Sequence, residues 1–266
     1  MTNNVSIAST DLNVSIDLAN GGRLSSVKWR DLELAVAHRE SPLSWGWYPM
    51  APWAGRIGRG DLDTPHGIEK LPTHLLPPNA IHGLLIDGQI NLGATSDHEA
   101  MVWCDLPAPY EGGRVEQRVV LADSMMTWSL SYRNGARPMP AWLGFHPWFR
   151  RTLSRGAEVE ITNPATFMMT LDEEGLPNGK IQGLTLPPWD DVFGGMLDAP
   201  TLNWPGALKV TCLSNAPWWV IYTHDPEGVC VEPQTAPPHA AALGLSPALA
   251  PGQEIRLEYR LSFQSA

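Results

Sequence analysis

Positive charge is scarce in this 266-residue chain: 18 Lys and Arg stand against 28 Asp and Glu, a net charge of -10. Nucleic acid and anionic membrane surfaces call for a basic face, so neither is expected as a partner. Cysteine is scarcer still. Cys104, Cys212 and Cys230 are odd in number and show no close CxxC spacing, so neither a disulfide framework nor a zinc knuckle is indicated, and they read as small core residues. No segment reaches the roughly 18 apolar residues of a membrane helix. The first residues, Met1-Thr2-Asn3-Asn4-Val5-Ser6, carry neither a basic region nor an apolar run, so a soluble, cytoplasmic protein is expected. The chain also lacks any internal repeat, low-complexity tract or block of like charge, and no stretch keeps a helical hydrophobic period for three turns.

What the chain has in abundance is punctuation. Its 25 prolines and 24 glycines are spread along the whole length and divide it into short pieces. The pieces alternate: Leu12, Val14, Ile16 and Leu18 share one face of an extended segment, with polar residues on the other. Gly21-Gly22 makes a turn, and Arg23 to Trp29 and Leu32 to Val36 repeat the pattern around a bend at Arg30-Asp31. Further strands are expected at 101–106, 114–121, 127–133, 158–162, 207–212, 218–222, 228–232 and 254–263, while the proline-rich pieces at 71–79 and 186–188 read as loops. Many short strands without alternating helices predict an all-β protein, a large antiparallel β-sandwich or barrel, as one domain over 1–266. Hydrophobic residues at 43% supply a core.

Twelve tryptophans are many for this length, and Trp45, Trp47, Trp53, Trp148, Trp189 and Trp204 sit beside proline or glycine, which suggests loops. Loop aromatics offer flat floors for a sugar ring, although inter-sheet packing accounts for such residues equally well. His146 lies in Phe145-His146-Pro147-Trp148-Phe149, an environment that partly desolvates its ring and keeps its pKa in the range useful for proton transfer. Glu232 ends the apolar run Gly228-Val229-Cys230-Val231 and is followed by Pro233; a buried carboxylate there needs either a role or a salt bridge. Arg56 stands in an aromatic, proline-rich loop, His82 at a turn, and Asp190-Asp191 form a pair able to accept hydrogen bonds from a diol or simply to face solvent in a turn.

These pieces fall in one order: the Arg56-Ile57 loop, Ile81-His82-Gly83, Phe145-His146-Pro147-Trp148-Phe149, Trp189-Asp190-Asp191-Val192-Phe193 and Val231-Glu232-Pro233-Gln234-Thr235. In that order they resemble the aldose 1-epimerase (galactose mutarotase-like) family over nearly the whole chain. The resemblance implies a large antiparallel β-sandwich, the family's supersandwich, with a sugar cleft on one face. It implies His146 as general acid and Glu232 as base, with Arg56, His82 and Asp190 binding sugar oxygens. Gln234 of the same Glu-Pro-Gln motif and Trp148 beside the histidine complete the expected substrate-binding set. Two positions depart from the pattern: Gly55 stands where many members have asparagine, and His82 is followed by one glycine where many have two.

One acid and one base suffice to open and reclose a sugar ring, so no cofactor and no metal is called for. The expected partner is a small-molecule sugar, handled by a monomer or homodimer. Two other readings stay open on the residues: an anionic sugar, a hexose 6-phosphate or sulfonated hexose, for which Arg56 and Arg59 in one loop speak, and a non-catalytic carbohydrate-binding protein on the same sandwich. No histidine and carboxylate spacing suggests a metal hydrolase, and no Gly-x-Ser-x-Gly elbow is present.

Overall fold

The computed structural model describes residues 4–246 and 248–266. Two large sheets dominate it. The first has eleven strands and runs, neighbour to neighbour, through Asn4–Ala8, Leu12–Asp17, Arg23–Trp29, Trp47–Met50, Gly144–Arg150, Gly228–Gln234, Trp218–Tyr222, Asp190–Gly194, Phe167–Leu171 and Pro177–Gln182, with Leu32–Glu33 paired to Arg23–Trp29. The second has eight: Asn91–Thr95, Glu99–Asp105, Arg114–Ala122, Met125–Arg133, Glu254–Gln264, Leu208–Ser214, Thr201–Trp204 and Glu160–Thr162. Among the described residues there is no α-helix, only a short 3-10 turn at Gly58–Gly60.

The alternation seen in the sequence sets the inner face of the smaller sheet. Met126, Trp128, Leu130 and Tyr132 are buried on one strand, and Leu257, Tyr259, Leu261 and Phe263 on its neighbour, with intervening residues facing outward. Aromatic rings cross from sheet to sheet: Trp128 meets Phe145 at 4.1 Å, Phe149 meets Trp204 at 6.3 Å and Trp219 meets Tyr259 at 5.9 Å between ring centroids. The Tyr259 hydroxyl donates to the Val231 carbonyl at 2.9 Å and ties the two layers together. Trp47, Trp148 and Trp204 therefore belong to strands rather than to the loops expected for them, while Trp45 and Trp53 lie in loops but are equally buried. All three cysteines are free and buried.

The middle strands of the larger sheet are covered on both faces. Every residue of Gly228–Gln234 is buried, as are Gly144 to Phe149, because one face meets the smaller sheet and the other is roofed by long connections. Such strands read as continuous apolar runs instead of alternating ones. Pro147 and Pro233 deepen the disguise, since each removes a backbone donor. The pairing between these strands is made at its ends, Gly144 with Gln234 and Trp148 with Cys230, and is open across 145–147, opposite the stretch that holds Glu232 and Pro233.

Candidate active site

Period-two alternation brings the chemistry together. Gly144, His146 and Trp148 point to one side of their strand, and Cys230, Glu232 and Gln234 to the same side of the next; in that register His146 falls beside Glu232. His146 Nε2 lies 3.3 Å from Glu232 Oε1, with 9% and 2% of the two side chains exposed. On the far side of His146, Tyr48 is its paired neighbour and stacks on the imidazole at 4.7 Å and 24°. Trp148 stacks on it at 5.5 Å and 23°. The ring is thus held between two aromatic planes.

His146 and Glu232 open into a cleft of about 280 Å³ whose wall also includes Arg56, His82, Asp190, Gln234 and Trp148. This size suits a small ligand. All seven residues expected from the sequence are brought to one place, from five separate segments. Arg56 Nη2 donates to Asp190 Oδ2 at 3.0 Å and its Nη1 to the Gly175 carbonyl at 3.3 Å. Asp190 begins a strand rather than standing in a turn, and its neighbour Asp191 does not line the cleft. His82 Nδ1 accepts the Gly55 N–H at 3.2 Å, which leaves Nε2–H as its remaining donor.

The departure at position 55 has a physical cause. Gly55 adopts φ of +74°, and a Cβ there would lie 2.5 Å from Pro238, which fills the space and itself lines the cleft. The one glycine that does follow His82 is required: a Cβ on Gly83 would lie 2.0 Å from the Ala51 carbonyl.

Burial shapes the electrostatics. Desolvation lowers His146 to a pKa of about 3, below the near-neutral range the sequence suggested, because the ring is enclosed rather than partly shielded. Glu232 is pushed well above the ordinary carboxylate range, first by burial and then by the charge of Asp190. His82 is lowered by burial and by His146 and Arg56, so it stays neutral. Both members of the close pair are driven toward their uncharged forms, and together they hold one proton.

Some cleft residues escaped the sequence reading. Tyr222, an ordinary strand aromatic in sequence, meets Trp148 edge-on at 5.5 Å and lines the cleft with Asp225, while Tyr48 packs behind the imidazole and is not part of the lining. Asp225 is clasped by Arg39 at 2.7 and 3.1 Å. Trp189, by contrast, does not line the cleft. Arg59 is outside it as well: its side chain is 69% exposed and pairs with Glu174 at 2.9 Å.

No protein-family model matches the sequence, and no curated protein matches it either. Solved structures do match in shape. A candidate aldose 1-epimerase of Escherichia coli K12 superposes with a TM-score of 0.87 at 19% identity, covering 99% of both chains. A galactose mutarotase-like protein of Clostridium acetobutylicum gives 0.86 at 16% identity, over 98% of this chain and 95% of that one. The GalM/aldose epimerase homologue of C. elegans gives 0.83 at 14%, over 99% of each. Such low identities speak to architecture and not to activity. The chain has the galactose mutarotase-like fold, a large antiparallel β-sandwich of the kind its motif order implies.

Proposed function

We propose that the chain, acting as one domain over residues 1–266, is an aldose 1-epimerase: an isomerase that interconverts the α and β anomers of a hexose. The observation that carries this reading is the buried pair of His146 and Glu232 at 3.3 Å in a cleft walled by hydrogen-bonding side chains. Its structural relatives include proteins described as aldose epimerases and mutarotase-like proteins.

In the proposed reaction Glu232 takes the proton from the C1 hydroxyl, O1 becomes a carbonyl oxygen as the C1–O5 bond breaks, and His146 gives its proton to O5. Rotation about C1–C2 exposes the other face of the carbonyl, and closure reverses both transfers. After ring opening the pair is a neutral glutamic acid beside a neutral imidazole. That is the state burial favours, so desolvation stabilises the open-chain half of the reaction. Entry into the reaction requires the charged tautomer, which Arg56, the Gln234 amide and the sugar's own hydroxyls support at the carboxylate. Each positioned transfer is worth roughly 10²- to 10⁴-fold.

Charge in the cleft favours a neutral sugar over an anionic one. Arg56 is engaged by Asp190, Arg39 by Asp225, and Arg59 lies outside with Glu174. A phosphate or sulfonate entering would meet carboxylates already holding these cations. A purely binding protein would have no need of a close acid–base pair. The test is polarimetry on freshly dissolved α-anomers of glucose and galactose beside a hexose 6-phosphate and a sulfonated hexose. Faster mutarotation of a neutral hexose supports the proposal; binding without any acceleration on the whole panel would refute it.

A further inference from the structure

Arg23 is completely buried, an unusual place for a guanidinium. Its donors go to backbone carbonyls rather than to a carboxylate: Nε to Asn20 at 3.0 Å, Nη1 to Trp45 at 2.9 Å and Nη2 to Ile86 at 3.0 Å. Its charge lies over two aromatic faces, 4.0 Å from the Trp45 ring centre and 5.2 Å from that of Tyr48. Tyr48 presents its ring in turn to His146 at 4.7 Å. One backbone carbonyl braces this stack, because Leu43 O accepts from the Tyr48 hydroxyl at 2.9 Å and from Trp148 Nε1 at 2.8 Å, the two rings that enclose the imidazole. Arg23 holds the far end of the same segment through Trp45.

We propose that Arg23 is a positioning residue for His146: through Trp45 and Tyr48 it fixes the imidazole, and it sets a buried positive charge behind the ring that serves as the acid. Asp17, paired with Arg23 across neighbouring strands, and Asp87 offset part of this charge at the guanidinium, but no group facing the imidazole adds an opposing one. Glu232 and Cys230 on one neighbouring strand and Tyr48 on the other are held uncharged by burial, as is His82 at 4.9 Å. Arg56 and Asp190 carry opposite charges and are bonded to each other. The spacing of the stack sets Arg23 no more than about 10 Å from the imidazole, where a unit charge at an effective dielectric of roughly 20 moves a titration by about one pH unit.

The role as acid rests on the proposed mutarotase reading, but the test does not require turnover. Imidazole nitrogen signals of the full-length, sugar-free protein are followed by NMR from pH 8 downward, with His146 identified by its loss in His146→Asn. Arg23→Gln, which keeps amide donors and removes the charge, should raise the His146 midpoint by about one pH unit. Arg23→Lys should restore it to within a few tenths of a unit. A folded Arg23→Gln with an unmoved midpoint would overturn the proposal. So would a wild-type His146 imidazole that titrates near pH 6.5, a result that needs no Arg23 variant to fold. If polarimetry finds no mutarotation while the midpoints move as stated, the functional reading fails and the positioning of His146 by Arg23 stands.

Discussion

Replacing Glu232 with glutamine changes one oxygen to an amide nitrogen in a side chain that is 2% exposed, so the volume stays and only proton chemistry is removed. Burial raises Glu232 well above the ordinary carboxylate range and so favours the uncharged form of the side chain that glutamine replaces. The amide can still donate to His146 Nε2, and the fold should survive. The rate should not: loss of a positioned proton acceptor costs about 10²-fold or more, roughly 3 kcal/mol of barrier. Stability should move the other way at high pH. In wild type the folded state retains the Glu232 proton above pH 4.5 while the unfolded chain releases it, so stability falls with rising pH by up to about 1.4 kcal/mol per unit until the raised pKa is reached. Glu232→Gln lacks that slope. Polarimetry gives the rate, sugar titration by calorimetry gives binding, and denaturant melts from pH 5 to 9 give the slope. Turnover within tenfold of wild type would remove Glu232 as the base, and an unchanged alkaline slope would show that the carboxyl is not buried as described.

His146→Asn should flatten the acid side instead: the unfolded chain binds a proton below pH 6.5 that the folded ring refuses until about pH 3, so wild type loses stability as pH falls through this window and the variant loses less. Paired with Glu232→Gln, its loss of rate should be far smaller than the product of the two single losses, because acid and base serve one step; strictly multiplicative losses in single-turnover measurements would argue against that coupling. Arg56→Lys should raise KM more than it lowers kcat, since lysine keeps the charge but loses the fork shared between Asp190 and Gly175; equal changes in both constants with a lower Tm would make Arg56 structural. Arg59→Ala should leave the kinetics with a neutral hexose unchanged at low and high salt, and a marked rise in KM would bring Arg59 back to the substrate. Gly55→Ala should destabilise the protein by about 1–3 kcal/mol in denaturant melts, from positive φ and overlap with Pro238; an unchanged midpoint would mean that the proline segment yields freely.

The all-β class was legible in the sequence wherever a strand has one wet face. Strands such as Arg114–Ala122, Met125–Arg133 and Glu254–Gln264 alternate because the smaller sheet buries one side and leaves the other in water. The acid–base candidates were legible too, because a histidine and a glutamate amid apolar residues and prolines are costly unless used or paired. What local pattern could not reveal was that Gly144–Arg150 is a strand, for it is covered on both faces and interrupted by Pro147. Nor could it reveal the distance between His146 and Glu232, which follows from pairing Gly144 with Gln234 across 90 residues of chain. The tertiary structure alone decided how dry the pair is, and hence that its two pKa values are driven apart from their ordinary order. It also decided that Arg56 faces the cleft while Arg59, three residues on, faces solvent. Residue types are written in the chain, but burial and charge balance belong to the space that distant segments enclose together, and the chemistry depends on that space.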